Sequence, residues 1–253
     1  MKGTSTPTPA ATIATTYRDP HRLKQLQAEF KRGLGFVRLP SFLSPPTLDR
    51  VRADVEMLHR IRKRRDFRMP GFDTERKMSV VGGDIIGRVC SSLLTLYGDA
   101  LLHAAIATIV GRPVRQVSHK DEFMVANFLD RRSDTHGWHT DDPKYALVVI
   151  CDAPEPGAGG ALEFIADWAE FCAQCGSQTG IEERVARARA QGRVHQERFD
   201  AGDAYLLDAG ANLHRVTPLL GSGRRQALNM AFDDRAFRRY GQTAQLLYGI
   251  AGA

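Results

Sequence analysis

No stretch of about eighteen or more apolar residues occurs in this chain, so no helix of it is expected to cross a bilayer. Its first residues, Met1-Lys2-Gly3-Thr4-Ser5-Thr6-Pro7, lack the apolar run of a secretory signal. Cysteine is scarce: four in 253 residues are too few for a disulfide scaffold. Cys90 and Cys151 sit in apolar runs and read as small core residues. Cys172 and Cys175 form a Cys-x-x-Cys with no second pair, beside the amphipathic Trp168-Ala169-Glu170-Phe171, and this setting disfavours zinc or redox chemistry. A reducing, cytoplasmic location is the expectation. Charge of one sign is not in large excess either: 35 Lys and Arg against 29 Asp and Glu leave +6. A nucleic-acid binder would cluster that excess. The densest cluster, Arg60-Ile61-Arg62-Lys63-Arg64-Arg65, falls at the end of an expected helix, where positive charge suits the helix dipole. Nucleic acid is not an expected partner.

What is present is ordinary globular composition, 43% hydrophobic and 25% charged, enough for one domain with a sizeable core. Residues 1–16 are rich in Thr, Ala and Pro and are expected to form a disordered tail, with a single domain over 17–253. Asp19-Pro20 is an N-cap followed by a first-turn proline and predicts a helix to about Lys31. Gly35-Phe36-Val37-Arg38-Leu39-Pro40 reads as a short strand. Ser44-Pro45-Pro46 opens a second helix with Leu48, Val51, Val55, Leu58 and Ile61 at helical spacing. A third helix is expected from Gly87 to Ile109, burying Leu93, Leu94, Leu96, Leu101, Leu102 and Ile106.

After Gly111 short β-type runs follow: Glu122–Leu129, Tyr145–Cys151, Ala161–Ile165, Val194–Phe199, Ala204–Asp208 and Gln226–Phe232. Helices first and many strands later predict an α+β, mainly β, sandwich or barrel with helices packed outside. Ala166 to Gln191 interrupts the strands and reads as a helical insertion.

The segment that carries chemistry is His136-Gly137-Trp138-His139-Thr140-Asp141-Asp142. On extended backbone His139 and Asp141 point to one face, so an imidazole and a carboxylate converge. These are two of the three ligands of a facial triad for non-haem Fe(II), which leaves coordination sites open. His214, in Asn212-Leu213-His214-Arg215-Val216, supplies the third. Beyond it lies Gly221-Ser222-Gly223-Arg224-Arg225-Gln226-Ala227-Leu228-Asn229. A strand starting at Arg225 puts Arg225, Ala227, Asn229 and Ala231 on one face and Arg224 on the other. A buried guanidinium is costly unless an anion meets it, and a dicarboxylate cosubstrate is the natural partner. Asn127, on a candidate core strand, is placed to reach that cosubstrate.

His139-Thr140-Asp141, the distal His214 and the following Arg225 resemble the Fe(II)/2-oxoglutarate-dependent oxygenases, with Arg224 as the alternative anion-binding residue. The likeness covers about residues 34 to 235. It implies a double-stranded β-helix, the jelly roll of cupins, with N-terminal helices packed on the major sheet. It also implies Fe(II), 2-oxoglutarate and O2 as cofactor and cosubstrates. More narrowly, His136 to Pro143 with Thr74-Glu75-Arg76 resembles the enzymes that halogenate or hydroxylate free amino acids. The halogenases of that group lack the metal carboxylate and chloride takes its place, so Asp141 implies hydroxylation. The same resemblance offers Arg76 and His136 for an amino-acid carboxylate, Glu122 and Asp142 for ammonium groups, and Asn229 as a polar contact. Ala231 stands where a lysine-specific relative would carry a hydroxyl.

Plainer roles remain open. His136 could support His139, Asp142 could cap the turn before Pro143, and Arg76 with Glu122 could be an ordinary ion pair. His21, His59, His103, His119 and His195 read as structural. The expected substrate is a small, amine-rich free amino acid. A carrier-tethered amino acid, a peptide, a nucleobase, a non-catalytic metal-binding jelly roll and a homodimer stay as alternatives.

Overall fold

The structure is a computed structural model and describes residues 11–175, 180–236, 240–241 and 243–248. In chain order it contains α1 (Pro20–Arg32), β1 (Phe36–Leu39), α2 (Pro45–Ile61), β2 (Lys63–Met69), β3 (Thr74–Gly82), α3 (Gly83–Val89), α4 (Ser91–Tyr97) and α5 (Ala100–Val110). There follow β4 (Arg115–Gln116), β5 (Met124–Leu129), β6 (Thr135–His139), β7 (Tyr145–Asp152), β8 (Leu162–Ile165), α6 (Trp168–Ala173) and α7 (Ile181–Ala190). Last come β9 (His195–Glu197), β10 (Ala204–Leu207), β11 (Leu213–Val216), β12 (Arg225–Asp233) and α8 (Thr243–Tyr248).

The strands form one curled antiparallel sheet in the order β1-β10-β7-β12-β5-β3-β6-β11-β8-β9, with β2 beside β3 and β4 beside β12. Strand β3 makes the fold-over. Ser79 to Gly82 pair with β5, while Arg76 and Lys77 pair with β6. The two halves thus face each other as a double-stranded β-helix. Their interior is packed by Phe36, Val148, Ile150, Leu162, Phe164 and Tyr205. The opposite residues of the major half, Leu147, Val149, Leu206, Leu228, Met230 and Phe232, meet the helices through Leu26, Phe30, Val55, Leu58 and Ile106. Strand β7 is therefore buried on both faces, which is why its sequence is a continuous apolar run.

The expected helical starts are in place. Asp19 accepts the His21 N–H at 2.9 Å ahead of Pro20, and α2 begins at Pro45. The insertion supplies α6 and α7, whose Trp168, Phe171, Val185 and Ala188 cover Trp138, Ile165 and Leu213 on the outside of the minor half.

Three expectations are corrected. The single helix over 87–109 is instead α3, α4 and α5. Gly98 ends α4, and Asp99 starts a new helix by accepting the Leu102 N–H at 2.8 Å, with a 43° bend between α4 and α5. Leu94 and Leu101 consequently stay exposed, at 38% and 47%. Residues 11–16, placed in the expected tail, pack on the domain. Ile13 is buried and bridges Leu43, and the Tyr17 hydroxyl donates to the Pro40 carbonyl at 2.6 Å. Residues 1–10 lie outside the described residues. The basic cluster ends a helix only in part: Arg60 lies in the last turn of α2 and Arg62 caps it, but Lys63–Met69 continues as an edge strand. Arg62 pairs with Asp130 at 2.9 Å and Arg64 with Asp134 at 2.7 Å. A charged edge strand resists pairing with other chains. Among the described residues, no single helix is long and apolar enough to cross a membrane.

Candidate functional site

His139 ends β6, and its register partner across the antiparallel ladder is His214 of β11. Their rings lie 4.1 Å apart between centroids. Asp141 follows β6, its N–H donating to the Ala209 carbonyl at 2.9 Å. This brings Asp141 Oδ1 to 3.3 Å from His139 Nε2 and 3.6 Å from His214 Nε2. One ligand atom from each of the three residues falls within 4.8 Å of the others. Bonds of roughly 2 Å to one central ion match that spacing.

Both imidazoles are oriented alike. His139 Nδ1 lies 2.8 Å from the Gly137 carbonyl and His214 Nδ1 lies 3.0 Å from that of Asn212. A carbonyl accepts only, so the proton sits on Nδ1 and Nε2 offers its lone pair. Burial, then Arg76 and His214, pushes His139 down to about 3. Burial pushes the Asp141 carboxyl up, but His214, His139 and Arg76 outweigh it and hold the group below its ordinary value. One carboxylate and two imidazoles whose Nε2 atoms face it are the donor set a divalent ion requires.

Behind the triad a narrow cavity runs between the two sheet halves, bounded by Asn127, Tyr205, Arg225 and Asn229. Arg225 opens β12 on its inner face and is 4% exposed. Its Nη2 has no hydrogen-bond partner. Burial lowers its pKa, and Tyr205 beside it opposes the shift. A buried guanidinium with an unused donor, lining the same cavity as the metal triad, fits a dicarboxylate that would chelate the ion and meet Arg225 with its second carboxylate. The alternative, Arg224, points outward. It bonds Asp152 and lies 3.6 Å from Glu56 of α2, so it takes no part in the cavity. Tyr205 was not anticipated. Its signal was present: a phenol on the inner face of a core strand needs a polar partner.

In front of the triad lies a second chamber, lined by Arg76, Glu122, His136, Asp142, Asn229 and Ala231 among others. Arg76 is fully buried. Its Nη1 donates to the Gly137 carbonyl at 2.6 Å, while Nε and Nη2 are unpartnered. Burial pushes it down to about 10, with Asp141 opposing. Glu122 Oε1 and Asn229 Oδ1 are also unpartnered. Arg76 and Glu122 are thus not an ion pair; each keeps unused polar atoms. Burial, then Asp141, Asp142 and Asp121, pushes Glu122 up to about 8. His136 is held neutral by burial and by Arg76, and its ring lies 4.1 Å from that of His139. Asp142 accepts the Gly241 N–H at 2.7 Å, which ties the C-terminal segment to the chamber. Tyr248, also unanticipated, lines the chamber from α8, and a Cβ at Gly82 would stand 2.8 Å from its ring.

Among the other histidines, His59 pairs with Asp130 at 3.0 Å and His103 Nε2 meets the Tyr97 carbonyl at 2.8 Å, both structural contacts. The four cysteines are free thiols.

Comparison with known proteins agrees with this geometry. The chain is similar in structure to the 2-oxoglutarate-dependent epimerase SnoN of nogalamycin biosynthesis, solved with Fe3+, 2-oxoglutarate and nogalamycin RO (TM-score 0.65, 15% identity, 92% of each chain covered). It is also similar to HygX of Streptomyces hygroscopicus with nickel and 2-oxoglutarate bound (TM-score 0.59, 14% identity, 83% of this chain and 87% of that one). A third is a 2-oxoglutarate/Fe(II) oxygenase of Burkholderia pseudomallei (TM-score 0.56, 16% identity, 84% and 91% covered). These likenesses concern the fold. No curated protein sequence matches the chain. Residues 18–245 match the Halogenase D family over nearly the whole described chain, and with the His139–Asp141–His214 cluster and the buried Arg225 in place, the chain belongs to that family of Fe(II)- and 2-oxoglutarate-dependent oxygenases.

Proposed function

We propose that this enzyme hydroxylates an unactivated C–H bond of a free, amine-bearing amino acid such as lysine or ornithine, with conversion of 2-oxoglutarate to succinate and CO2. The observation that carries the reading is the Asp141 carboxylate, 3.3 Å and 3.6 Å from the two histidines. In the halogenases that the sequence resembles, chloride takes this place, and here the place is filled.

His139, Asp141 and His214 would hold Fe(II), and Arg225 with Tyr205 would receive the far carboxylate of 2-oxoglutarate. When bound, the iron supplies the activation of O2 and the oxidation. The chain supplies position and polarity. Arg76 keeps Nε and Nη2 available for a substrate carboxylate, and its third nitrogen is tied to the Gly137 carbonyl. Glu122 and Asn229 offer unpartnered acceptors to an ammonium group. A zwitterion spanning these groups satisfies donors and acceptors that are otherwise buried without partners, and this favours an amino acid over an apolar substrate. Held at both ends, the carbon between them is fixed before the metal, which lowers the entropic part of the barrier.

The test is succinate formation with Fe(II), 2-oxoglutarate and O2 across a panel of free amino acids, with mass spectrometry of each mixture. Succinate coupled to a one-oxygen gain in an amino acid supports the reading. A chlorinated product, or succinate formed only with a carrier-bound or larger substrate, overturns it.

A further inference from the structure

Two of the three ligand residues depend on one short turn. Asp208 to Asn212 connects β10 to β11. Its Ala209 carbonyl accepts the Asp141 N–H at 2.9 Å, and its Asn212 carbonyl accepts His214 Nδ1–H at 3.0 Å. His139, by contrast, is oriented by Gly137 of its own strand. Whatever holds the turn therefore sets Asp141 and His214 together.

The Asn212 side chain ties the turn to two other segments, beside the turn's backbone bonds and the Lys144–Asp208 pair. It is 1% exposed. Its Nδ2 donates to the Leu34 carbonyl at 2.8 Å, and its Oδ1 accepts the Asp167 N–H at 3.1 Å. These two anchors come from separate segments, one just before β1 and one just before α6. Both carry left-handed backbone, with φ of 54° at Leu34 and 47° at Asp167. Side-chain-bearing residues rarely adopt that conformation unaided, so the local chain does not favour these shapes and bonds from elsewhere must hold them. Gly35 makes the approach feasible: a Cβ there would lie 2.8 Å from Asp208 Cβ and 3.2 Å from Asn212 Nδ2. Backbone bonds from Asp208 N to Gly35 O at 2.7 Å and from Trp168 N to Ala211 O at 3.0 Å persist whatever residue stands at 212. Loss of the amide should thus loosen the turn without dismantling it.

We propose that Asn212 is a positioning residue for the metal site, acting through the Asp208–Asn212 turn on Asp141 and His214. The inference rests on the assignment of His139, Asp141 and His214 as the iron ligands. An amide suits the task because it donates and accepts at once. Aspartate keeps the acceptor for Asp167 but sets an anion against the Leu34 carbonyl, and alanine loses both bonds.

The experiment uses the full-length, metal-stripped protein with Co(II) as the probe, read by visible absorption for affinity and band shape. Asn212→Ala should bind Co(II) about 10- to 100-fold more weakly and with an altered band, as loss of an outer support of a metal ligand does. Asn212→Asp should fall between Asn212→Ala and the wild type. Leu26→Ala, a deletion in the buried face of α1, should lower the melting temperature without moving the Co(II) affinity. Wild-type affinity and spectrum in Asn212→Ala would overturn the proposal, as would an equal loss in Leu26→Ala. Should Asn212→Ala fail to fold, Asn212→Asp decides: weaker binding supports the proposal and unchanged binding refutes it. A wild-type protein that does not bind Co(II) overturns the ligand assignment itself, a result distinct from an indifferent Asn212.

Discussion

His139 and His214 are register partners on neighbouring antiparallel strands, and each places its Nδ1–H on the carbonyl two residues before it, 2.8 Å away for Gly137 and 3.0 Å for Asn212. The same local geometry on two strands turns both Nε2 atoms toward Asp141 Oδ1. The carboxylate is the only negative charge of the three ligands, so removing it should cost more than loss of an outer support. Asp141→Ala should weaken Fe(II) binding by more than about 100-fold and abolish hydroxylation. Asp141→Gly, which opens the same position, should admit chloride. Metal titration and product mass spectrometry in chloride-containing buffer check both. Full hydroxylation by Asp141→Ala would refute the ligand assignment.

Arg225 and Arg224 are adjacent in sequence but do opposite things. Arg225 is 4% exposed and aimed into the cavity, whereas Arg224 pairs with Asp152 on the outside. Arg225→Met should raise the KM for 2-oxoglutarate about 10- to 100-fold, the size of a charge-assisted hydrogen bond lost at about 1.5–3 kcal/mol. Arg225→Lys should recover only part, since a single ammonium cannot present the guanidinium fork. Tyr205→Phe should raise the same KM by about 5-fold, near 1 kcal/mol. Arg224→Ala should leave the KM unchanged and cost at most about 1 kcal/mol of stability, as exposed pairs do. Succinate formation at varied 2-oxoglutarate measures all four.

The contrast between these arginines shows what was legible. The alternation along β12, with Arg225, Ala227 and Asn229 inward and Leu228, Met230 and Phe232 against the helices, is written in the sequence as a period of two. So is the His-x-Asp pair. Strand β3 was not legible: its Val80-Val81-Gly82 end is buried on both faces, while its Arg76 reads as polar yet is fully buried. The missing information was the cavity that Arg76 serves. Helix α5 carried its own signal in Gly98-Asp99, a stop followed by a cap, which the apolar periodicity across it masked. Tyr248 gave no signal, because its place depends on how α8 folds back beside Gly82. Nor did Asn212, whose partners Leu34 and Asp167 are remote in sequence.

Glu122 should make the protein pH-sensitive. Burial and three neighbouring aspartates push it up to about 8 from an ordinary 4.5. Between those values the folded chain holds a proton that the unfolded chain has released, so stability falls as pH rises through this window. The penalty is absent below the ordinary value and complete above the raised one. Glu122→Gln should flatten the fall in melting temperature between about pH 5 and pH 8. If Glu122 receives a substrate ammonium, binding must expel its proton. The KM for a cationic amine should then drop as pH approaches 8, and Glu122→Gln should raise that KM by about 10-fold or more and remove its pH dependence. An identical pH profile in wild type and Glu122→Gln would remove Glu122 from substrate recognition.

Ala231 tests what the chamber selects. It lies on the inner face of β12 beside Asn229, with its backbone fixed on both sides: N–H to the Phe123 carbonyl at 3.0 Å and carbonyl from the Tyr97 hydroxyl at 2.7 Å. A side chain placed there should therefore project into the chamber without moving the strand. Ala231→Ser adds one hydroxyl and little volume. A long substrate whose terminal amine reaches that wall gains a hydrogen bond of about 1 kcal/mol, and a shorter one does not. The ratio of kcat/KM for lysine over ornithine should then rise by about 5-fold in Ala231→Ser. Competition between the two amino acids in one mixture, read by mass spectrometry, measures that ratio directly and is insensitive to the fraction of active enzyme. A rise marks Ala231 as the residue that sets chain length. A ratio unchanged from wild type would place the amine elsewhere, against Glu122 alone, and would show that the missing hydroxyl does not govern selection.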